Sequence, residues 1–168
     1  MLICVSVRSL VPGFRPAHAR LREAAARLLA AEGCPAGVVS LVFVGDRVMA
    51  RLNAAFAGKS RTTDVLSFDL RPAGSARRTG GPGPRAFPAL EGVAPTLGEV
   101  VVSVDRARAQ ARERGLPLRE EVARLVVHGL LHLAGHDHQR PPGRRRMRAR
   151  EEAWLAAERG GRGWLRPS

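Results

Sequence analysis

The 168-residue sequence predicts one compact domain in which about five helices mix with four strands. Runs rich in β-branched residues alternate with segments of helical period, which is the first sign of that mixture. The length suits a single core and is too short for two substantial ones. The hydrophobic share is 45%, and runs such as Val38–Val44 and Val100–Val104 require an interior. No stretch approaches the ~20 apolar residues of a membrane span.

Met1–Val7 reads as a short strand. Pro16–Glu32 is helical: Leu21, Ala24, Ala25, Leu28 and Leu29 share one face, Pro16 suits the first turn and Gly33 stops it. Val38–Val44 is a β-branched strand. Asp46 can cap a helix to about Phe56 that Gly58 ends. Asp64–Leu70 alternates as a strand does. Arg71–Pro95 breaks the pattern, with Gly or Pro at 10 of its 25 positions. It reads as a flexible loop joining two strands of one sheet, because strand character resumes at Gly98–Val104. Val100–Val104 is apolar on both faces except Ser103, as a central strand would be. Asp105 can cap a helix to Arg114, closed by Gly115. Leu116–Pro117 opens the longest helical pattern, with Leu118, Val122, Leu125, Val126, Leu130 and Leu133 on one face and Gly135 as its stop. Arg144–Glu158 forms a last, basic helix. The domain is expected over 1–160, and 161–168 as a flexible tail.

The charge is uneven. Lys+Arg is 28 against Asp+Glu at 15, a net +13, and Lys59 is the one Lys. A bias towards Arg explains the choice of cation but not the shortage of carboxylates. Such a surface suits a polyanion partner. Aromatic residues are 4% with no Tyr, so a nucleic-acid partner would gain little from base stacking. The N-terminal apolar run stops at Arg8 with no basic region before it, so a signal peptide is not expected. Cys4 and Cys34 form no CxxC pair, which argues against a thiolate zinc site or a disulfide framework and for a cytoplasmic protein.

Four of the five His fall within eleven residues, His128-Gly-Leu-Leu-His132-Leu-Ala-Gly-His136-Asp137-His138. His128 and His132 are four apart on a helix, so both rings leave one face and can share a metal. Gly135 can reverse the chain and let His138 supply a third nitrogen. Three imidazoles suit one Zn²⁺ at the C-terminal end of this central helix, with an open corner for water made acidic by the metal. A closed structural site with His136 or Asp137 as fourth ligand is the competing arrangement. One class of zinc proteases shares the spacing, as H-E-x-x-H-x-x-G-x-x-H, and uses the Glu after the first His as base. That position is Gly129 here.

The segment HGLLHLAGHDH resembles the H-G-x-L-H-L-x-G-Y-D-H signature of the YbeY family of ribosomal-RNA maturation endoribonucleases. Thr63-Asp64-Val65-Leu66-Ser67-Phe68 is similar to the family's T-D-V-L-S-F, and Leu97–Val104 to its L-G-D-I-V-I-S strand. The resemblance implies an α+β domain with a small mixed four-stranded sheet and a zinc ion held by His128, His132 and His138. It implies cleavage of single-stranded RNA, maturation of small-subunit ribosomal RNA and ribosome quality control, with the small ribosomal subunit as partner. Two positions depart from the pattern. His136 stands where the family has Tyr, and Ala57 where it commonly has an Arg thought to matter for activity. Arg61 or Arg51 is the available replacement.

Within that chemistry Asp137 is a candidate to orient a ligand ring, or a turn residue bonding its own backbone. His136 is a candidate to donate the leaving-group proton, or a solvent-facing ring. Asp64 and Ser67 are expected near the pocket, Asp64 chiefly as a cap at a strand start. Arg144, Arg145, Arg146, Arg148 and Arg150 form either a solvated helix face or a track for RNA. Two other functions compete with the nuclease: a metallopeptidase-like hydrolase, and a non-catalytic ribosome assembly factor with structural zinc.

Overall fold

A computed structural model describes residues 2–58, 62–71, 94–136, 141–160 and 164–165. Its elements run β1 (Ile3–Ser9), α1 (His18–Ala31), β2 (Gly37–Val44), α2 (Asp46–Ala57), β3 (Val65–Asp69), β4 (Thr96–Ser103), α3 (Val104–Arg114), α4 (Leu118–Leu133) and α5 (Pro141–Arg159). The four strands form one sheet in the order β1-β2-β4-β3. β1, β2 and β4 are parallel, and β3 closes the edge antiparallel to β4. This is the α+β domain with a mixed sheet that the sequence implies. Among the described residues no helix is long and apolar enough to cross a membrane.

Strand alternation divides the core. Val39, Leu41, Phe43, Val100 and Val102 face α1 and α4 in the larger cluster. Val44 and Val101 face the other way, against Met49 of α2. α4 packs on β3 and β4, is flanked by α3 and carries α5 on its outer side. Ten of its sixteen residues are therefore buried, including the predicted Val122, Leu125, Val126, Leu130 and Leu133.

Gly129 shows why α4 lies so close to the sheet. A Cβ there would stand 2.4 Å from Val100 Cγ1 and 3.1 Å from Ser67 Oγ. Ser67 Oγ donates to the Gly129 carbonyl at 3.1 Å, tying β3 to the helix between its two His.

Several details differ from expectation. Asp46 and Asp105 do not cap their own helices. Gly45 and Ser103 hold the N-cap positions of α2 and α3. The Asp46 N–H donates to Asp105 Oδ2 at 2.9 Å, and Ser103 Oγ donates to Asp46 Oδ1 at 2.6 Å. Each acid thus serves the start of the neighbouring helix, which a one-dimensional pattern does not reveal. α1 begins at His18 rather than Pro16, and α5 begins at Pro141, where two prolines suit a first turn. The tail expected at 161–168 is corrected at two positions. Trp164 and Leu165 are buried in the main core, and the Trp164 N–H donates to Glu158 Oε2 at 3.0 Å. Their apolar area outweighs the cost of ordering the backbone there. The Gly/Pro-rich loop reading falls largely on 72–93, outside the described residues.

Candidate metal centre

The two His of α4 converge. His128 Nε2 and His132 Nε2 lie 3.2 Å apart, with ring centroids 4.7 Å apart. Two imidazole nitrogens bound to a tetrahedral zinc at about 2.0–2.1 Å stand about 3.3–3.4 Å from each other. The pair is therefore at ligand spacing before any third donor is added.

α5 supplies what fixes the pair. Glu151 Oε1 lies 2.6 Å from His128 Nδ1. With the Nδ1 proton given to that carboxylate, Nε2 keeps its lone pair and faces His132. This carboxylate-to-His arrangement raises the donor strength of the ring and prevents it from rotating away. The donor chemistry and spacing both fit zinc. Among the described residues no third His, Cys, Asp or Glu joins the pair. His138, Asp137 and Arg61 lie outside the described residues.

His136 turns to a different partner. α4 ends in a Schellman turn: the Gly135 N–H donates to the His132 carbonyl at 2.9 Å and the His136 N–H to the Leu131 carbonyl at 3.0 Å. Gly135 takes φ 95°, the left-handed conformation expected of it. The His136 ring then meets Glu32, at the end of α1, with Nε2 2.8 Å from Oε2. Trp154 Nε1 donates to the other Glu32 oxygen at 3.4 Å, and Arg150 stands 3.8 Å from it. Burial pushes the Glu32 carboxyl upward. The hydrogen bonds from His136 and Trp154 and the charge of Arg150 outweigh that, so it rests below the usual glutamate value.

A second brace holds the end of α4 from the sheet side. Arg71 is buried, pairs with Asp69 at 2.7 Å and 2.9 Å, and donates from Nη2 to the Leu133 carbonyl at 2.9 Å. The Asp69 bond holds the guanidinium above its ordinary value, against the opposing effect of burial.

Asp64 has the strand-start role. Its Oδ1 accepts from the Val65 N–H at 2.9 Å and its Oδ2 from Gln110 Nε2 at 3.1 Å. Nearby, Glu121 is fully buried in α4 between Arg114 at 2.8 Å and Arg124 at 2.6 Å. Arg51 is exposed on α2, and Ala57 ends that helix. On α5, Arg148 pairs with Glu152 and Arg150 faces Glu32, while Arg145 and Arg146 are exposed.

Glu151, Glu32 and Arg71 were not legible as site residues. A signal for Glu151 exists: it follows Met147 by four and precedes Leu155 by four, so a carboxylate sits on the core stripe of α5.

A family model described as endoribonuclease YbeY matches residues 15–158. The chain belongs to the YbeY family. An endoribonuclease YbeY from Anaeromyxobacter sp. is 42% identical over 157 residues, covering 93% of this chain and 72% of the relative. One from Thermus thermophilus is 39% identical, covering 79% of this chain and 80% of its own. One from Myxococcus xanthus is 48% identical over 122 residues, 73% of this chain, and the match spans 36% of that longer relative. The solution structure of TM1509 from Thermotoga maritima shares the fold, with a TM-score of 0.55, 23% identity and coverage of 90% of this chain and 86% of that one. Two of the segments that resemble YbeY motifs thus form the paired strands β3 and β4, and the part of the third within α4, from His128 to Leu133, lies on the helix packed against them.

Proposed function

We propose that the chain is a zinc-dependent endoribonuclease that cuts single-stranded RNA, acting on small-subunit ribosomal RNA in its maturation and in ribosome quality control in the cytoplasm. One observation carries this reading: within a chain of the YbeY family, His128 and His132 present their Nε2 atoms 3.2 Å apart while Glu151 takes the Nδ1 position of His128. His138 is proposed as the third ligand of a single ion. When bound, zinc supplies a Lewis acid at the phosphodiester.

The chain's own residues supply the rest. Glu151 holds the His128 tautomer and ring orientation. Ser67 and the close approach at Gly129 hold α4 against the sheet, so the two His keep their spacing. The excess of Arg draws the RNA backbone by long-range attraction and favours weak sequence preference. Arg61 and Asp137 stay candidates for contact with the phosphate and for orienting a ligand. His136 is engaged with Glu32, which speaks against its service as the leaving-group acid.

A peptidase reading is disfavoured by the same helix. The position that carries the base in zinc proteases is Gly129, and a Cβ there would meet Val100 at 2.4 Å. A non-catalytic assembly factor with structural zinc is favoured by one feature, Ala57 in place of the family's Arg. Incubation with single-stranded RNA and with casein, for wild type and His132→Ala, separates these. Loss of RNA cleavage with retained folding supports the nuclease. Casein cleavage supports the peptidase, and ribosome binding without cleavage supports the assembly factor. A 2′,3′-cyclic phosphate product would mark the ribose 2′-OH as the first nucleophile.

A further inference from the structure

From Glu121 to Leu133 every residue of α4 is buried except Arg124, His128 and His132. These three follow one another at intervals of four, so they form one strip along the helix. β3 borders the strip on one side, where Ser67 bonds the Gly129 carbonyl, and α5 on the other, where Glu151 meets His128. Among the described residues, this enclosed length of helix opens outward through one cation and the two imidazoles of the candidate metal centre. Four residues at 1.5 Å each set Arg124 about 6 Å along the axis from His128, a distance comparable with the step between successive phosphates of an extended strand.

The Arg124 guanidinium is fixed by its neighbours. Nε and Nη2 donate to Glu121 Oε1 at 2.9 Å and 2.6 Å. Nη2 also donates to Gln110 Oε1 at 3.3 Å and stands 3.9 Å from Asp64 Oδ2. Gln110 Nε2 donates to Asp64 in turn, so α3 and the start of β3 both hold the plane. Nη1 has no acceptor among the described residues, and the side chain is 26% exposed. Arg114 pairs the other oxygen of Glu121 at 2.8 Å, so Arg124 is not that carboxylate's sole counter-ion. A guanidinium already oriented, with the two N–H groups of Nη1 unspent, suits the non-bridging oxygens of a phosphate and loses little freedom on binding one.

We propose that Arg124 holds, through Nη1, the phosphate next to the one cleaved beside His128 and His132, and so sets the position of the RNA strand along α4. The proposal rests on the nuclease reading above and names a substrate contact for it. Glu121, Gln110 and Asp64 act through Arg124 as positioning residues that keep the fork in place.

The test uses the full-length protein and a single-stranded RNA oligonucleotide cut at one bond. An uncharged methylphosphonate replaces one phosphate at a time on either side of the cut. kcat/KM is measured for wild type, Arg124→Gln and Arg114→Gln, with the thermal midpoint of each alongside. Wild type is expected to lose about 10-fold at one phosphate adjacent to the cut, the low end for a hydrogen bond to a charged group at a partly exposed site. Arg124→Gln is expected to lose about as much on unmodified RNA and nothing further at that phosphate, because each change removes the same contact. Arg114→Gln also takes a cation from Glu121, and is expected to lower the midpoint while keeping the full methylphosphonate penalty. If Arg124→Gln does not fold, Arg124→Lys replaces it, keeping a cation beside Glu121 without the fork; the penalty is then expected to shrink at the same phosphate. A penalty that persists unchanged in the Arg124 variant overturns the proposal, even if its activity falls, since that assigns Arg124 to stability alone. The absence of any sensitive phosphate adjacent to the cut in wild type overturns it as well. Failure of wild type to cut RNA overturns the nuclease reading and the proposal with it, an outcome distinct from cleavage that ignores Arg124.

Discussion

Replacing Glu151 by Ala removes the acceptor beside His128 and leaves the ring free to rotate or to shift its proton to Nε2. The contact is 2.6 Å long, and its two side chains are 24% and 14% exposed, so it is only partly screened by water. A hydrogen bond of this kind to a charged group is worth about 1.5–3 kcal/mol. At about 1.4 kcal/mol per tenfold, that becomes a loss of roughly 10- to 150-fold in zinc affinity. Glu151→Gln keeps an oxygen that accepts from Nδ1 but loses the charge, so it should fall near the weak end of that range. Competition titration with a chromophoric chelator reads both. Circular dichroism of the apoproteins checks that α5 still docks through Met147, Leu155 and Glu158, all buried on the same helix. Zinc affinity in Glu151→Ala equal to wild type would refute the reasoning, as would a Gln variant that binds more weakly than the Ala variant.

Other outcomes follow from the packing and the charges. Gly129→Ala should destabilise the fold by about 1–2 kcal/mol: the clash at 2.4 Å is with Val100, a stiff, fully buried side chain, and overpacking outweighs the gain in helix propensity. Thermal unfolding reads it, and a stabilised variant would contradict the close approach of α4 to β4. Glu121→Gln should cost about 1–3 kcal/mol in denaturant unfolding, less than a fully buried pair loses, because Arg114 is 44% exposed and can be rehydrated. Glu99 is half-buried on β4, and burial pushes its carboxyl up, with Arg8 opposing. A raised folded-state value means that the ionised form costs stability. The cost is absent in acid, where both states hold the proton, and grows as pH rises through the range above the ordinary glutamate value. Glu99→Gln should therefore raise the thermal midpoint at neutral pH, with the gain disappearing in acid. A gain that persists in acid would contradict burial as its cause.

Much of the architecture was legible because its signals are local. The apolar face of α4, the β-branched runs of β2 and β4 and the stop at Gly135 each depend on neighbours a few residues away. The pair His128 and His132 was legible for the same reason, since four residues on a helix define one face. What escaped depends on contacts between distant segments. Asp105 accepts from the first N–H of α2 and Asp46 from the hydroxyl of Ser103 that caps α3, which helical periodicity cannot report. Glu151 looks like one of two adjacent acids on a basic helix until α5 docks and selects it. Trp164 and Leu165 follow glycines that suggest a free end, yet their side chains find the core. The type of His136 suggested acid–base chemistry or a solvent-facing ring, and only the return of α1 places Glu32 against it.

X-ray absorption at the zinc edge of the purified full-length protein tests the central claim most directly. About one zinc per chain is expected, with three imidazole nitrogens at about 2.0–2.1 Å, one solvent oxygen at similar distance and no sulfur. A spectrum with sulfur in the coordination sphere, or with fewer than two imidazoles after loading with zinc, would contradict it.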